Sequence, residues 1–179
     1  MEAVMNEQNV VVEESRKREA GFSGLEMVGV FLFFLTMVAG GAWVVSDLFE
    51  GSKVAELQQG VASIRMNVQQ MYASSTDYTG LDNTAAIAAG AVPSKMVDDS
   101  STIMSPWGDA ITVAPGTDTK NFTITVTDLP QSACVKLSQF QAYAWEDITV
   151  GGTTAIDLTV QAASALCTAD GLSVVFTGR

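Results

Sequence analysis

Hydrophobic and polar positions divide the chain into successive regimes. Residues 1–21 are polar and close on Ser15-Arg16-Lys17-Arg18-Glu19-Ala20-Gly21, with no periodicity that predicts an element. From Met27 to Val45 the next 19 residues carry no charge. At 1.5 Å per residue a helix of that length covers roughly 28 Å, the hydrocarbon thickness of a bilayer. A buried core helix is the alternative reading. Core helices are usually amphipathic, whereas this segment is apolar on all sides, which favours a membrane span. The period then changes. Val54, Leu57, Val61, Ile64, Val68 and Met71 recur at steps of three and four, flanked by Lys53, Glu56, Gln58, Arg65, Asn67 and Gln69. This is one apolar stripe on a continuing helix. No proline interrupts residues 22–92, so a single helix is predicted from about Phe22 to about Ala73. Its first part, 22–45, is transmembrane, and its second part, 46–74, is amphipathic and carries a head domain on its stripe.

Residues 75–179 read as that head. Thr84–Ala89 predicts a short helix before Pro93. Asn121–Thr127 alternates, with Phe122, Ile124 and Val126 turned inward, and Ala110–Ala114 is a shorter partner strand. A helix is expected from near Pro130, with Cys134, Leu137, Phe140 and Tyr143 on its buried side. Ile148–Val150, Gly151-Gly152 and Thr154–Val160 predict a hairpin, and Ser173–Thr177 a last strand. Trp107, in the turn Ser105-Pro106-Trp107-Gly108, is expected to pack against the head. The fold class is α+β, a long N-terminal helix packed against a head with an antiparallel sheet. The pair Gly40-Gly41 weakens the helix, either to let it bend or to let helices pack closely.

Charge narrows the function. The net charge is −11, and the six basic and fifteen acidic side chains beyond residue 21 leave −9. Such a surface repels nucleic acid. The absence of histidine removes Ser-His-Asp and Cys-His catalysis and the commonest zinc sites. Asp98-Asp99 and Glu146-Asp147 are adjacent carboxylates that read as solvated loops, and no spaced calcium loop accompanies them. No nucleophile stands with a base and no phosphate loop is present, so the reading is a non-enzyme with no cofactor and no metal. The basic run before the span and Asp47 and Glu50 after it place the head outside the cytoplasm.

The informative stretch is Gly21-Phe22-Ser23-Gly24-Leu25-Glu26, set directly against the apolar span. A secretory signal is cut after its apolar core. Here the small residue precedes the core, so a cut between Gly21 and Phe22 removes the basic leader 1–21 and keeps the span. Glu26 then lies five residues into the shortened chain. A carboxylate near membrane depth costs a few kcal/mol and needs a partner. The new amino group of Phe22 on a neighbouring copy supplies one, and their pairing fixes the axial offset a helical fibre requires. Read alone, Glu26 is the polar flank of a signal anchor; the company of Gly21, Phe22, the leader and the two-part helix argues against that.

These features resemble a type IV prepilin. The long leader, Leu129-Pro130-Gln131-Ser132-Ala133-Cys134 and Ala165-Leu166-Cys167-Thr168-Ala169-Asp170 resemble the type IVb branch, including toxin-coregulated, bundle-forming and conjugative thin-pilus subunits. Phe22 departs from the methionine, leucine or tryptophan more usual there. The resemblance implies the type IV pilin fold, a peptidase that cuts after Gly21 and N-methylates Phe22, assembly through Glu26, and a homopolymeric surface fibre for adhesion, aggregation or mating contact. Its expected partners are further copies, the prepilin peptidase, an inner-membrane assembly platform, an outer-membrane secretin, and a host or neighbouring cell surface. Before assembly the chain is expected in the inner membrane, with its N-terminus in the cytoplasm and its head in the periplasm. A disulfide between Cys134 and Cys167 fits an oxidising compartment, and its loop of about 34 residues is worth roughly 3.5–4 kcal/mol. In type IV pilins such a bridge bounds the exposed, partner-facing region, here 134–167. A type II secretion pseudopilin, a minor pilin or tip adhesin, and an uncut signal-anchored protein are the competing identities.

Overall fold

A computed structural model describes residues 24–155 and 159–179. Helix α1 runs from Gly24 to Met71 without a break, passing through Gly40 and Gly41. The chain divides into two compact units, one ending at Asp47 and one formed by Leu48–Arg179. In the first unit the helix leaves Val28, Val30, Phe31, Leu32, Phe33 and Leu35 exposed. Among the described residues no helix is long and apolar enough to cross a membrane; most side chains of the stretch Met27–Val45 lie outside that set.

The second unit is built on the predicted stripe. Val54, Leu57, Val61, Ile64 and Val68 are all buried, and Met71 packs against the same core. Each such side chain contributes about 1.5–3 kcal/mol by leaving water. Next comes α2, Asn83–Ala88, one residue ahead of the segment predicted. Asp82 starts it: its Oδ1 accepts the Ala85 N–H at 2.7 Å, a cap worth about 1 kcal/mol. Asn83 ties α2 to the sheet by donating to the Ile111 carbonyl at 2.9 Å and accepting the Val113 N–H at 2.8 Å. A 3₁₀ turn, Ser94–Met96, lays Met96 on α1 at Gly60.

The sheet comprises β1 (Ile103–Met104), β2 (Ala110–Pro115), β3 (Phe122–Leu129), β4 (Asp147–Val150), β5 (Thr153–Ala155) and β6 (Leu172–Gly178). Its order is β1-β2-β3-β6-β4-β5, and every neighbouring pair is antiparallel. The last strand is therefore interior to the sheet, between β3 and β4. Phe122, Ile124 and Val126 are buried as their alternation predicts, facing the core with Val174 and Phe176 of β6. The β3–β6 register shifts between Val126 and Leu129, where Asp128 takes φ +52°.

Two expectations are corrected. The helix after Pro130 is α3, Gln131–Ser138, and it buries Cys134 and Leu137 but ends before Phe140. Gln141 enters the left-handed region at φ +50° and a 3₁₀ turn follows at Ala142–Ala144, so the helical phase is lost. Phe140 is only half-buried, Tyr143 stands 96% exposed, and Trp145 fills the core instead at 6%. The second correction concerns the hairpin strand expected at Thr154–Val160. β5 is described over Thr153–Ala155, residues 156–158 lie outside the described set, and Val160 opens helix α4, Val160–Leu166. Thr159 explains the change, because its Oγ1 accepts the Ala162 N–H at 3.2 Å and caps a helix rather than extending a strand. The turn of that hairpin is as expected: Gly151 and Gly152 take φ +55° and +84°, the paired positive angles of a two-residue loop matched to strand twist.

Candidate functional site

Of the residues singled out for processing and assembly, Gly21 and Phe22 lie outside the described residues, as does the leader 1–21. Glu26 falls on the described backbone of α1, while its side chain lies outside the description. Cys134 and Cys167 are joined in a disulfide, with Cα atoms 5.9 Å apart. Both are fully buried. Polar contacts gather round the bridge. The Gln131 side chain donates to the Cys167 carbonyl at 2.8 Å, and the Gln131 N–H donates to Asp170 Oδ1 at 2.8 Å. The start of α3 is thus held to the end of α4 by a covalent bond and two hydrogen bonds. A carboxylate at the first turn of α3 also complements its helix dipole.

The head meets α1 through polar contacts outside the apolar stripe. Gln58 donates to the Lys136 carbonyl at 3.3 Å, Asn67 to the Ala91 carbonyl at 3.0 Å, and Gln69 to the Arg179 carbonyl at 2.6 Å. Two cations of α1 sit on tryptophans. Lys53 Nζ lies 5.8 Å from the Trp107 ring centre, and the Arg65 guanidinium lies 4.9 Å from that of Trp145. Trp107 packs against the core as expected. Neither aromatic seat had a readable sequence signal, because cation and ring lie 54 and 80 positions apart respectively. Trp145 also stacks on Phe176, with ring centres 4.8 Å apart.

Asp99 closes its loop by accepting the Ser101 N–H at 2.7 Å and the Ser101 hydroxyl at 3.0 Å. The Ser101 N–H first, then the Thr102 and Ser101 hydroxyls, hold its carboxyl below the usual carboxylate range. Burial pushes the Tyr78 phenol up. Burial, and then the negative charges of Asp82 and Asp77, do the same for Tyr72. A concave surface of about 520 Å³ runs between α1 and the Pro93–Met96 turn, with Glu56 and Lys95 its charged lining. Among the described residues no three metal-ligating side chains converge.

An antiparallel sheet seated on the stripe of a helix, with its C-terminal part stapled by one disulfide, defines a class. The type IVb pilin from Salmonella typhi has this fold: it is 28% identical, with a TM-score of 0.57, covering 72% of this chain and 99% of that one. TcpA, a type IV pilin from Vibrio cholerae El Tor biotype, shares the fold at 20% identity and a TM-score of 0.54, again covering 72% of this chain and 99% of that one. The architecture is therefore that of a type IV pilin.

Residues 52–179 match the family described as PilS N terminal, and the chain belongs to that family of type IVb pilins. The major structural subunit of bundle-forming pilus of Escherichia coli O127:H6 is 28% identical over 127 residues, 69% of this chain. The chain spans 66% of that relative's length. The corresponding subunit of Escherichia coli O111:H- matches to the same extent.

Proposed function

We propose that this chain is the structural subunit of a type IVb pilus, stored in the inner membrane by its N-terminal helix and polymerised into a surface fibre. The observation that carries the reading is the family match over 52–179, joined to the sequence motif of Gly21, Phe22 and Glu26 set against an uncharged stretch. A peptidase cuts after Gly21 and methylates Phe22, leaving its amine positive. Glu26 of one copy pairs with that amine on the next, which neutralises both charges in an apolar medium and sets the axial step. Residues 22–45 span the membrane before assembly, residues 46–74 carry the head, and residues 75–179 form it. The assembly platform and the secretin are the machinery through which the fibre grows, and the disulfide-bounded region 134–167 faces the fibre's surroundings.

Two experiments test this. Mass spectrometry of the native polypeptide should find a mature chain starting at N-methylated Phe22; a chain that keeps residues 1–21 would overturn the scheme. Antibody-labelled electron microscopy of cells should show long surface fibres containing this chain. Its dominance in sheared fibre preparations separates a major subunit from a minor or tip pilin, and a lack of fibres would indicate a pseudopilin.

A further inference from the structure

Arg65 is held as though for a partner that none of the described residues provides. It lies on the part of α1 that belongs to the head unit, and its guanidinium is seated on the face of Trp145. Trp145 is 94% buried, being 6% exposed, and is itself fixed by Phe176. The Arg65 Nε and the Trp145 Nε1 are both sealed from solvent without an acceptor among the described residues. The two terminal nitrogens of Arg65 differ: among the described residues neither makes a hydrogen bond or ion pair, yet neither is sealed. The result is a planar donor fork, immobilised on an aromatic floor and open at its outer edge. Among the described residues one ion pair occurs, Arg179 to Glu146 at 3.8 Å, and it is exposed.

We propose that Arg65 is a docking point for a carboxylate of a second copy of this chain, received bidentately by Nη1 and Nη2 above Trp145. Three arguments select that occupant. The fork geometry fits a carboxylate, and stacking on Trp145 has already restricted the side-chain rotamers that docking must order. Among the described residues no carboxylate pairs with this guanidinium, so its charge is left for an anion at its open edge to neutralise. Acidic side chains number 20 against 9 basic ones, so an adjoining copy offers carboxylates in excess while cations are scarce. Lys53 on Trp107 is a weaker version of the same seat, a point charge at 5.8 Å on a flexible stem. The proposal rests on the fibre-subunit reading and adds to it a contact between heads, distinct from the pairing of Glu26.

The test uses the full chain in fibre-forming cells, with R65Q and R65K. The subunit of R65Q should accumulate at the normal level with its Cys134–Cys167 bridge formed, while fibre yield falls roughly tenfold. R65K replaces the fork by a point charge that a carbodiimide can couple to a touching carboxylate. Its fibres should yield covalent multimers in which the peptide bearing position 65 is joined to an acidic peptide of another copy. Folded, bridged R65K subunit that fails to assemble would also support the fork. Wild-type amounts of equally salt-resistant fibre from R65Q would overturn the proposal, as would assembled R65K fibres whose position-65 crosslinks fall only within one chain or are absent. Failure of both variants to accumulate bridged subunit would assign Arg65 to folding and equally overturn it. Absence of fibres from the wild-type chain would instead count against the underlying function.

Discussion

At Gly60, α1 lies against Met96 of the Pro93–Met96 turn. A Cβ there would collide with Met96 Sδ, and Met96 is buried. Gly60→Ala gains about 1 kcal/mol of helix propensity but must displace a core side chain, a change that typically costs about 1–3 kcal/mol. The single variant should therefore be destabilised, and Met96→Ala should relieve the conflict, giving a favourable coupling in a double-mutant cycle read by denaturation. Within the stripe, Leu57→Ala should cost about 2–5 kcal/mol, measured in the same way, because Leu57 is fully buried. Tyr78 supplies a pH test. It stacks between Tyr72 and Phe122, at 5.1 and 4.9 Å, and burial raises its phenol pKa. A raised folded pKa means that the stability contributed by the neutral phenol is complete below the unfolded value and is lost as pH rises through the folded one. Tyr78→Phe should lessen the loss of stability as pH rises above about 10, while changing it little at neutrality. The sequence could mark the stripe residues because their spacing is local. It could not pair Gly60 with Met96, which meet only through the fold.

At the scale of elements, the disulfide holds together two helices that differ in how readily they could be foreseen. α3 was expected because Pro130 precedes Cys134 and Leu137 at helical spacing. α4 was missed because Thr154–Val160 contains β-branched residues that read as strand, while the decisive signal, Thr159 followed by Val160-Gln161-Ala162-Ala163, is a cap. Replacing both Cys134 and Cys167 by serine should lower head stability by about 3.5–4 kcal/mol, the loop-closure estimate for the 33-residue separation, observed as a fall in melting temperature. Gln131 and Asp170 would still join α3 to the chain near Cys167, so the loss should appear mainly as lower stability rather than as a new topology. Tyr143 was misplaced for a different reason. A helical period extrapolated past Ser138 puts Tyr143 inside, but one residue at positive φ, Gln141, resets the phase and hands the core position to Trp145.

For the whole molecule, the processing motif and the head answer to different physics. In the proposed scheme the motif is an electrostatic statement about a shortened chain in a membrane. Glu26→Ala should leave insertion and the Cys134–Cys167 bridge intact yet abolish fibres, as scored by shearing and microscopy; normal fibres from that variant would remove the pairing from the scheme. The head is a packing statement, and its parts were foreseen unequally. The period-3.6 stripe from Val54 to Val68 and the period-2 alternation of Phe122, Ile124 and Val126 were written in the residues, because each depends on neighbours a few positions away. Membership of the α+β class followed from those two periods. The insertion of β6 between β3 and β4 depends instead on which distant strand edges meet, as do the Arg65 seat on Trp145 and the contact of Gly60 with Met96. Those choices are settled by competition among long-range contacts for one core, and a linear pattern holds no record of that competition.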